Sequence, residues 1–216
     1  ELDRPFSYLT GRKPGRLLEV GCGAGDWLRI AGDLGWRADG VDFDPDAVAN
    51  ARSTGASVHS GQLADQNFPD QSFDLILMSH VIEHVHDPIG LLRECYRLLK
   101  DDGLLVVWTP NSDGRGHARF GRHWTGLHPP YHLWLLNPMT LDSMARRARF
   151  AEAKIFTTIR NAAGNFALGR SIERVGSGNT VSVRERLDGY GFALLERLKL
   201  VTNPSVGEEL IAELRK

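Results

Sequence analysis

The chain has 216 residues, 42% apolar and 25% charged, the composition of one ordinary globular domain. A formal net charge of −1 gives no bulk field to gather nucleic acid, and no apolar run approaches the ~20 residues of a membrane-spanning helix. Its two cysteines, Cys22 and Cys95, lie far apart, one in a glycine-rich loop and one in an expected helix. That excludes a disulfide framework and fits a reducing cytoplasm. The chain begins at Glu1, which leaves a removed targeting segment open.

Residues 3–10 read as a short helix, capped by Asp3 with Pro5 in its first turn. A first strand is expected over about 16–20 and a helix over about 25–34, ended by Gly35. Residues 38–43 read as a second strand that closes on Asp42. Asp44-Pro45 opens the next helix, with an acidic cap and proline at the first position. A short third strand covers 56–59. The apolar run 73–78 is the pattern of a central strand covered on both faces. Asp87-Pro88 opens a helix whose apolar positions from Ile89 to Leu99 keep helical spacing. Residues 101–103 end it, and 104–108 form a fifth strand.

The second half is less regular. Residues 110–136 read as a long loop rich in His, Pro, Gly and Trp, a length that is usually functional or disordered. Asn137-Pro138 starts another helix to about 148, and 153–159 alternates as a strand. An insertion over 160–206 contains an amphipathic stretch at 186–200, and 208–216 reads as the last strand. Strands alternating with helices at this rhythm imply a doubly wound, mostly parallel sheet. Ligands of such sheets bind beyond the carboxyl ends of the strands, near the topological switch point.

The glycine loop decides which ligand. A dinucleotide fingerprint needs G-x-G-x-x-G. Gly21, Gly23 and Gly25 instead give G-x-G-x-G, followed by Asp26. An acid at a helix start competes with a pyrophosphate for the positive end. A P-loop is excluded because no Gly-Lys-Ser/Thr follows. Glu19, Asp26 and Asp42 bring three carboxylates toward one pocket, which suits a ligand with a cationic group.

The run from Glu19 to Gly25, Glu-Val-Gly-Cys-Gly-Ala-Gly, resembles motif I of the class I S-adenosylmethionine-dependent methyltransferases. Gly40-Val-Asp42-Phe-Asp-Pro45 resembles the next motif. Residues 68–74 followed by 80–88, and 97–107, resemble the fourth- and fifth-strand regions of the small-molecule branch, which includes the ubiquinone and menaquinone methyltransferases. The matches run in order over about 16–110, half the chain.

The resemblance implies a Rossmann-like, seven-stranded sheet with an antiparallel last strand and a helical insertion before it. It implies a single domain: residues 1–15 as an N-terminal helix and linker, 16–110 as the cofactor half, 111–216 as the acceptor half. It assigns Glu19 to the methionine ammonium of S-adenosyl-L-methionine, and Gly21, Cys22 and Gly23 to the methionine part. Asp42 takes the ribose and Phe43 lies against the adenine. Gln62, where the family commonly has Asp, and Leu63 meet the adenine edge. Ser79 lines the sulfonium end.

The implied activity is direct displacement of a methyl group onto a small-molecule O-, N- or C-nucleophile, leaving S-adenosyl-L-homocysteine. The alternatives are a non-catalytic cofactor-binding scaffold of the same fold and an NAD-dependent oxidoreductase. Alignment supplies most of the acceleration, and a base is needed only where the acceptor must lose a proton. His80, at the end of the fourth strand, is the first candidate for that base and His132 the second. Residues 128–133 resemble the acceptor segment of the branch. After the following helix the chain has Ala148-Arg149-Phe150 in place of the branch's Ala-Gly-Phe, so a looser helix end is expected.

His80-Val-Ile-Glu83-His84 matches the H-x-x-E-H zinc-peptidase pattern. That chemistry needs both histidines on one helical face, whereas His80 directly follows a strand, so no metal is expected. Trp124, Tyr131 and Trp134 could wall the acceptor or fill the core beneath the loop. In the insertion, Leu187, Tyr190, Leu194, Leu195 and Leu198 form an apolar stripe beside Arg184, Arg186, Arg197 and Lys199. Such a stripe is expected to pack on its own domain as a lid or to form a homodimer, with peripheral membrane contact as the alternative and monomer or homodimer as the assembly.

Overall fold

The computed structural model describes residues 4–176, 178 and 180–216. Helix α1 spans Arg4–Thr10; the expected Asp3 cap lies outside the described residues. Strand β1 is Arg16–Val20 and leads through the glycine loop into α2, Asp26–Asp33. Strand β2, Arg37–Asp42, is followed by α3, Pro45–Ser53. Asp44 caps α3 by accepting from Asp46 N and Ala47 N. Strands β3, Ser57–Ser60, and β4, Phe73–Ser79, follow, then α4, Pro88–Leu98. Strand β5 runs Leu99–Pro110, longer than expected, because residues 99–103 continue extended and the register with β4 shifts between Phe73 and Leu75.

The expected loop 110–136 contains a short helix, α5, Arg115–Phe120, and two 3₁₀ turns. Helix α6 is Pro138–Arg147, held by a full capping box between Asn137 and Thr140. Strand β6, Glu152–Thr158, is separated from β7, Glu209–Arg215, by a hairpin of α7, Ala162–Val175, and α8, Val183–Leu200.

The sheet order is β3-β2-β1-β4-β5-β7-β6. Strands β1 to β5 pair parallel, and β7 runs antiparallel between β5 and β6. Strand order reverses between β1 and β4, so the switch-point crevice lies beyond Val20 and Ser79. On one face α4 and α6 pack Leu92, Leu98 and Leu141 against the sheet. On the other, α1 to α3 contribute Leu9, Leu28 and Val48. Among the described residues no helix is long and apolar enough to cross a membrane.

The Ala148-Arg149-Phe150 corner differs from expectation. Arg149 itself adopts φ +80, the left-handed conformation a glycine would take, and Phe150 is buried. The turn is as tight as with glycine, and the burial of Phe150 holds a side-chain residue in a strained conformation.

The α7–α8 hairpin corrects a second expectation. Phe192 of α8 stacks on Phe166 of α7 with ring centroids 4.6 Å apart, and Gly189 sits so close that a Cβ there would lie 2.3 Å from Ala163 O. These contacts turn Glu185, Gly189, Phe192 and Glu196 inward. The apolar stripe from Leu187 to Leu198 therefore faces away from its own domain and is exposed.

Candidate active site

The glycine loop is shaped by β1 and β2. Gly21 N and Cys22 N both donate to Val41 O, at 2.8 and 3.3 Å. Gly21 adopts φ +71, and a Cβ there would lie 2.3 Å from Val81 Cγ2. Gly23 adopts φ +51, and nothing lies within 4 Å of where its Cβ would be. One glycine thus permits a tight fold against β4's exit, and the other leaves open space over the backbone for a ligand.

Asp42, at the end of β2, ties this loop down. Its Oδ2 accepts from Gly23 N at 2.8 Å and its Oδ1 from Asp44 N at 2.9 Å. Each oxygen keeps lone-pair capacity for a ligand hydroxyl. Glu19 is 5% exposed, and its Oε2 has no hydrogen-bond partner. Burial, reinforced by Asp26 and Asp42, pushes its carboxyl up to about 8. A buried, unpartnered acid is costly unless a donor or cation completes it. Glu19 and Ser79 line one hollow together with Trp27, Leu77, Trp108 and Arg160.

The other expected cofactor residues differ in how far their side chains are exposed. The Cys22 thiol is buried, its pKa pushed up to about 12 by desolvation and by Glu19, so it is a packing group. The Leu63 side chain sits in the core, which leaves only its backbone for a ligand. The Gln62 side chain is exposed, and Phe43 is 80% exposed beside the end of β2.

On the opposite lip, β4 is followed directly by His80 with φ +53. Its Nε2 lies 2.9 Å from Glu209 Oε1, and its Nδ1 lies 3.2 Å from Glu83 Oε1. The second contact is within ion-pair reach but outside hydrogen-bond geometry, leaving that oxygen without a hydrogen-bond partner. Desolvation opposes the charge on His80, but the two carboxylates outweigh it and raise its pKa to about 9. Glu83 is likewise disfavoured by burial, yet the His80 and Thr109 contacts hold its pKa below the usual value. At neutral pH His80 is an imidazolium between two buried acids. That environment counts against His80 as a proton acceptor.

The segment expected to meet the acceptor is clamped to β4's exit, because Leu133 N and Trp134 N both donate to Glu83 O. This brings His132 against His84, with ring centroids 4.6 Å apart. His84 Nδ1 bonds Tyr131 O at 3.0 Å, and His132 Nδ1 bonds Gly126 O at 2.7 Å. A carbonyl can only accept, so both rings donate from Nδ1, and a neutral His132 keeps its lone pair on Nε2. Burial lowers the pKa of His132, which keeps it neutral. Glu83, His84 and His132 offer ligand atoms within 4.8 Å of one another, with Glu83 buried and both histidines half-buried. His80 takes no part in that group because Glu209 holds it. Trp124 is buried and stacked on His117, hence core, while Tyr131 and Trp134 are exposed.

Glu209, Arg160, Trp27 and Trp108 were missed by the sequence reading. Glu209 and His80 are 129 positions apart, joined only because β7 inserts beside β5. Trp27 directly follows the glycine loop and was within reach of motif spacing.

A family model described as a methyltransferase domain matches residues 1–152. A probable S-adenosylmethionine-dependent methyltransferase of Mycolicibacterium smegmatis is 34% identical over 152 residues, 67% of this chain and 56% of that protein. A ubiquinone biosynthesis O-methyltransferase of Cereibacter sphaeroides is 31% identical over 160 residues, 68% of this chain and 65% of that protein. Among solved structures, a SAM-dependent methyltransferase from Archaeoglobus fulgidus is similar over 100% of this chain and 91% of that chain, with TM-score 0.67 and 24% identity. The chain spans about half the length of the first curated relatives it matches. The chain belongs to the S-adenosylmethionine-dependent methyltransferases, and its sheet is their Rossmann-like fold.

Proposed function

We propose that this domain binds S-adenosylmethionine and transfers its methyl group to a small-molecule acceptor. The observation that carries this reading is Glu19: a buried carboxylate with an unpartnered oxygen, beside a glycine loop open at Gly23. An ammonium is the complement such a group needs, and a nicotinamide dinucleotide offers none there.

When bound, the cofactor supplies a methyl on a sulfonium, which leaves with no electron pair while the sulfur reverts to a neutral thioether. The chain's own residues bind and align. Glu19 holds the amino group, and Arg160, lining the same hollow, complements the carboxylate of that amino-acid moiety. Asp42 accepts from the ribose hydroxyls while keeping Gly23 in place. Phe43 loses exposed area by covering the adenine, and Gln62 meets its edge through an amide. Ser79 lines the sulfonium end.

On the acceptor side, His132 is the group able to take a proton, through its free Nε2. His80 contributes fixed positive charge that holds Glu83 and Glu209 and, through Glu83, the acceptor segment. Holding two reactants in line is worth up to ~7–11 kcal/mol, so the site needs little further chemistry.

The test is turnover of methyl-labelled S-adenosylmethionine against pooled metabolite fractions, with products identified by mass spectrometry. Label should appear in a low-mass product, and H132A should lower kcat by about 10²-fold or more for a hydroxyl acceptor. Full activity of H132A on such an acceptor refutes the base assignment. Cofactor binding without turnover on any fraction returns the reading to a non-catalytic scaffold.

A further inference from the structure

Helix α8 carries its apolar residues on the wrong side for a helix of a lone globular domain. At 100° per residue, Val183, Leu187, Tyr190, Leu194, Leu198 and Val201 share one narrow stripe. All are exposed, from 63% at Leu194 to 84% at Val201. The inward face, on the opposite side, holds Glu185, Gly189, Phe192 and Glu196. The helix is thus more apolar toward solvent than toward its own protein. Contiguous exposed apolar surface of this kind marks an interaction face.

Charge selects the partner. Arg186 and Arg197 border the stripe on one side, Arg184 and Lys199 lie on the other, and all four are exposed. The exposed acid on this helix is Asp188, which faces Arg170 of α7 at 4.0 Å. Glu185 and Glu196 are turned inward and cannot screen the flanks. A second copy of α8 would bring these cationic borders against one another with little to neutralise them. An anionic lipid surface accepts both features: acyl chains take the leucines, and headgroups take the guanidinium and ammonium groups at the end of long stems. At 18 residues the helix is about 27 Å long, enough to lie flat in the interface.

We infer that α8 is an in-plane membrane anchor, docking the domain on an anionic bilayer surface through the stripe from Val183 to Val201. The inference is independent of the methyl-transfer reading, since lipid binding needs no cofactor.

The experiment is flotation of the intact chain with phosphatidylcholine vesicles and with vesicles containing phosphatidylglycerol, at low and high salt. The wild type should partition about tenfold or more in favour of the anionic vesicles, with the preference falling as salt rises. The double variant L194E/L198E should lose flotation while keeping its thermal unfolding midpoint, because both positions are exposed. R186E/R197E should lose only the anionic preference. No flotation of the wild type at low salt overturns the inference, as does equal flotation of L194E/L198E. A wild-type dimer that L194E/L198E dissolves would assign the stripe to a second copy and overturn it as well.

Discussion

Glu19 makes a sharp, two-sided prediction. Its carboxyl is pushed up from an ordinary value of 4.5 to about 8, first by burial and then by Asp26 and Asp42. In the free protein at pH 7 it is therefore mostly protonated, whereas in the unfolded chain it is ionised. A folded-state pKa above the unfolded value means stability is lost as pH rises between the two. Each unit costs about 1.4 kcal/mol, so the penalty is roughly 3 kcal/mol at pH 7 and complete near pH 8. E19Q should thus stabilise the cofactor-free protein by a few kcal/mol at pH 7, and hardly at all at pH 4.5, in urea unfolding followed by circular dichroism. The same change should weaken the cofactor, because the ammonium loses its anion.

Binding adds a second signature. An ammonium beside Glu19 favours its ionised form, so binding near pH 7 should release close to one proton. Affinity for S-adenosylhomocysteine should rise about tenfold per unit up to pH 8 and then level off. Calorimetry in buffers of different ionisation enthalpy counts the proton, and E19Q carries the ligand's own titration as the control. Identical proton release in wild type and E19Q, or no gain in stability on substitution, would refute the reasoning.

Three further outcomes are expected. His80 has a folded pKa of about 9, above its ordinary 6.5, so its stabilising contribution is complete below pH 6.5 and lost as pH rises through 9. H80A should cost roughly 2 kcal/mol at pH 6, discounted because the side chain is 41% exposed, and the difference from wild type should shrink as pH rises through 9 in urea titrations. R149G should raise stability by about 1 kcal/mol in thermal unfolding, since φ +80 costs a side-chain residue what glycine avoids. Burial and the neighbouring Glu208 raise Glu196 to about 9, and neither of its buried oxygens has a hydrogen-bond partner. E196Q should therefore stabilise by about 2 kcal/mol at pH 8, with the gain disappearing toward pH 4.5, and an unchanged pH profile would contradict the assignment.

Much of the fold could be read directly, and the reasons are local. Strand β1 is legible because a five-residue segment with Leu17, Leu18 and Val20 at its heart ends on a glycine. Helices α3, α4 and α6 each begin with a side-chain cap followed by proline, Asp44-Pro45, Asp87-Pro88 and Asn137-Pro138. These signals act within one turn and need no tertiary partner.

What was hidden depends on distant contacts. Helix α5 is six residues held by α7, with Phe120 against Phe166 at 5.0 Å, so no periodicity announces it. The stripe on α8 has a clear period, but a period does not say which side faces the protein. Gly189 and Phe192 decided that, against α7. In the candidate site, the resemblance pointed to Glu19 and Asp42, whereas the clamp on His80 needed Glu209 from the last strand. A histidine at a strand end looks like a base until the two acids beside it are seen.

The central claim is that the glycine loop and Glu19 hold a cationic amino-acid nucleoside. It is tested most directly by calorimetric titration of the protein with S-adenosylhomocysteine and, separately, with NADH at pH 8. S-adenosylhomocysteine should bind saturably at one to one, at least tenfold more weakly in E19Q, and NADH should give no heat. Binding of NADH, with S-adenosylhomocysteine silent, would contradict the claim.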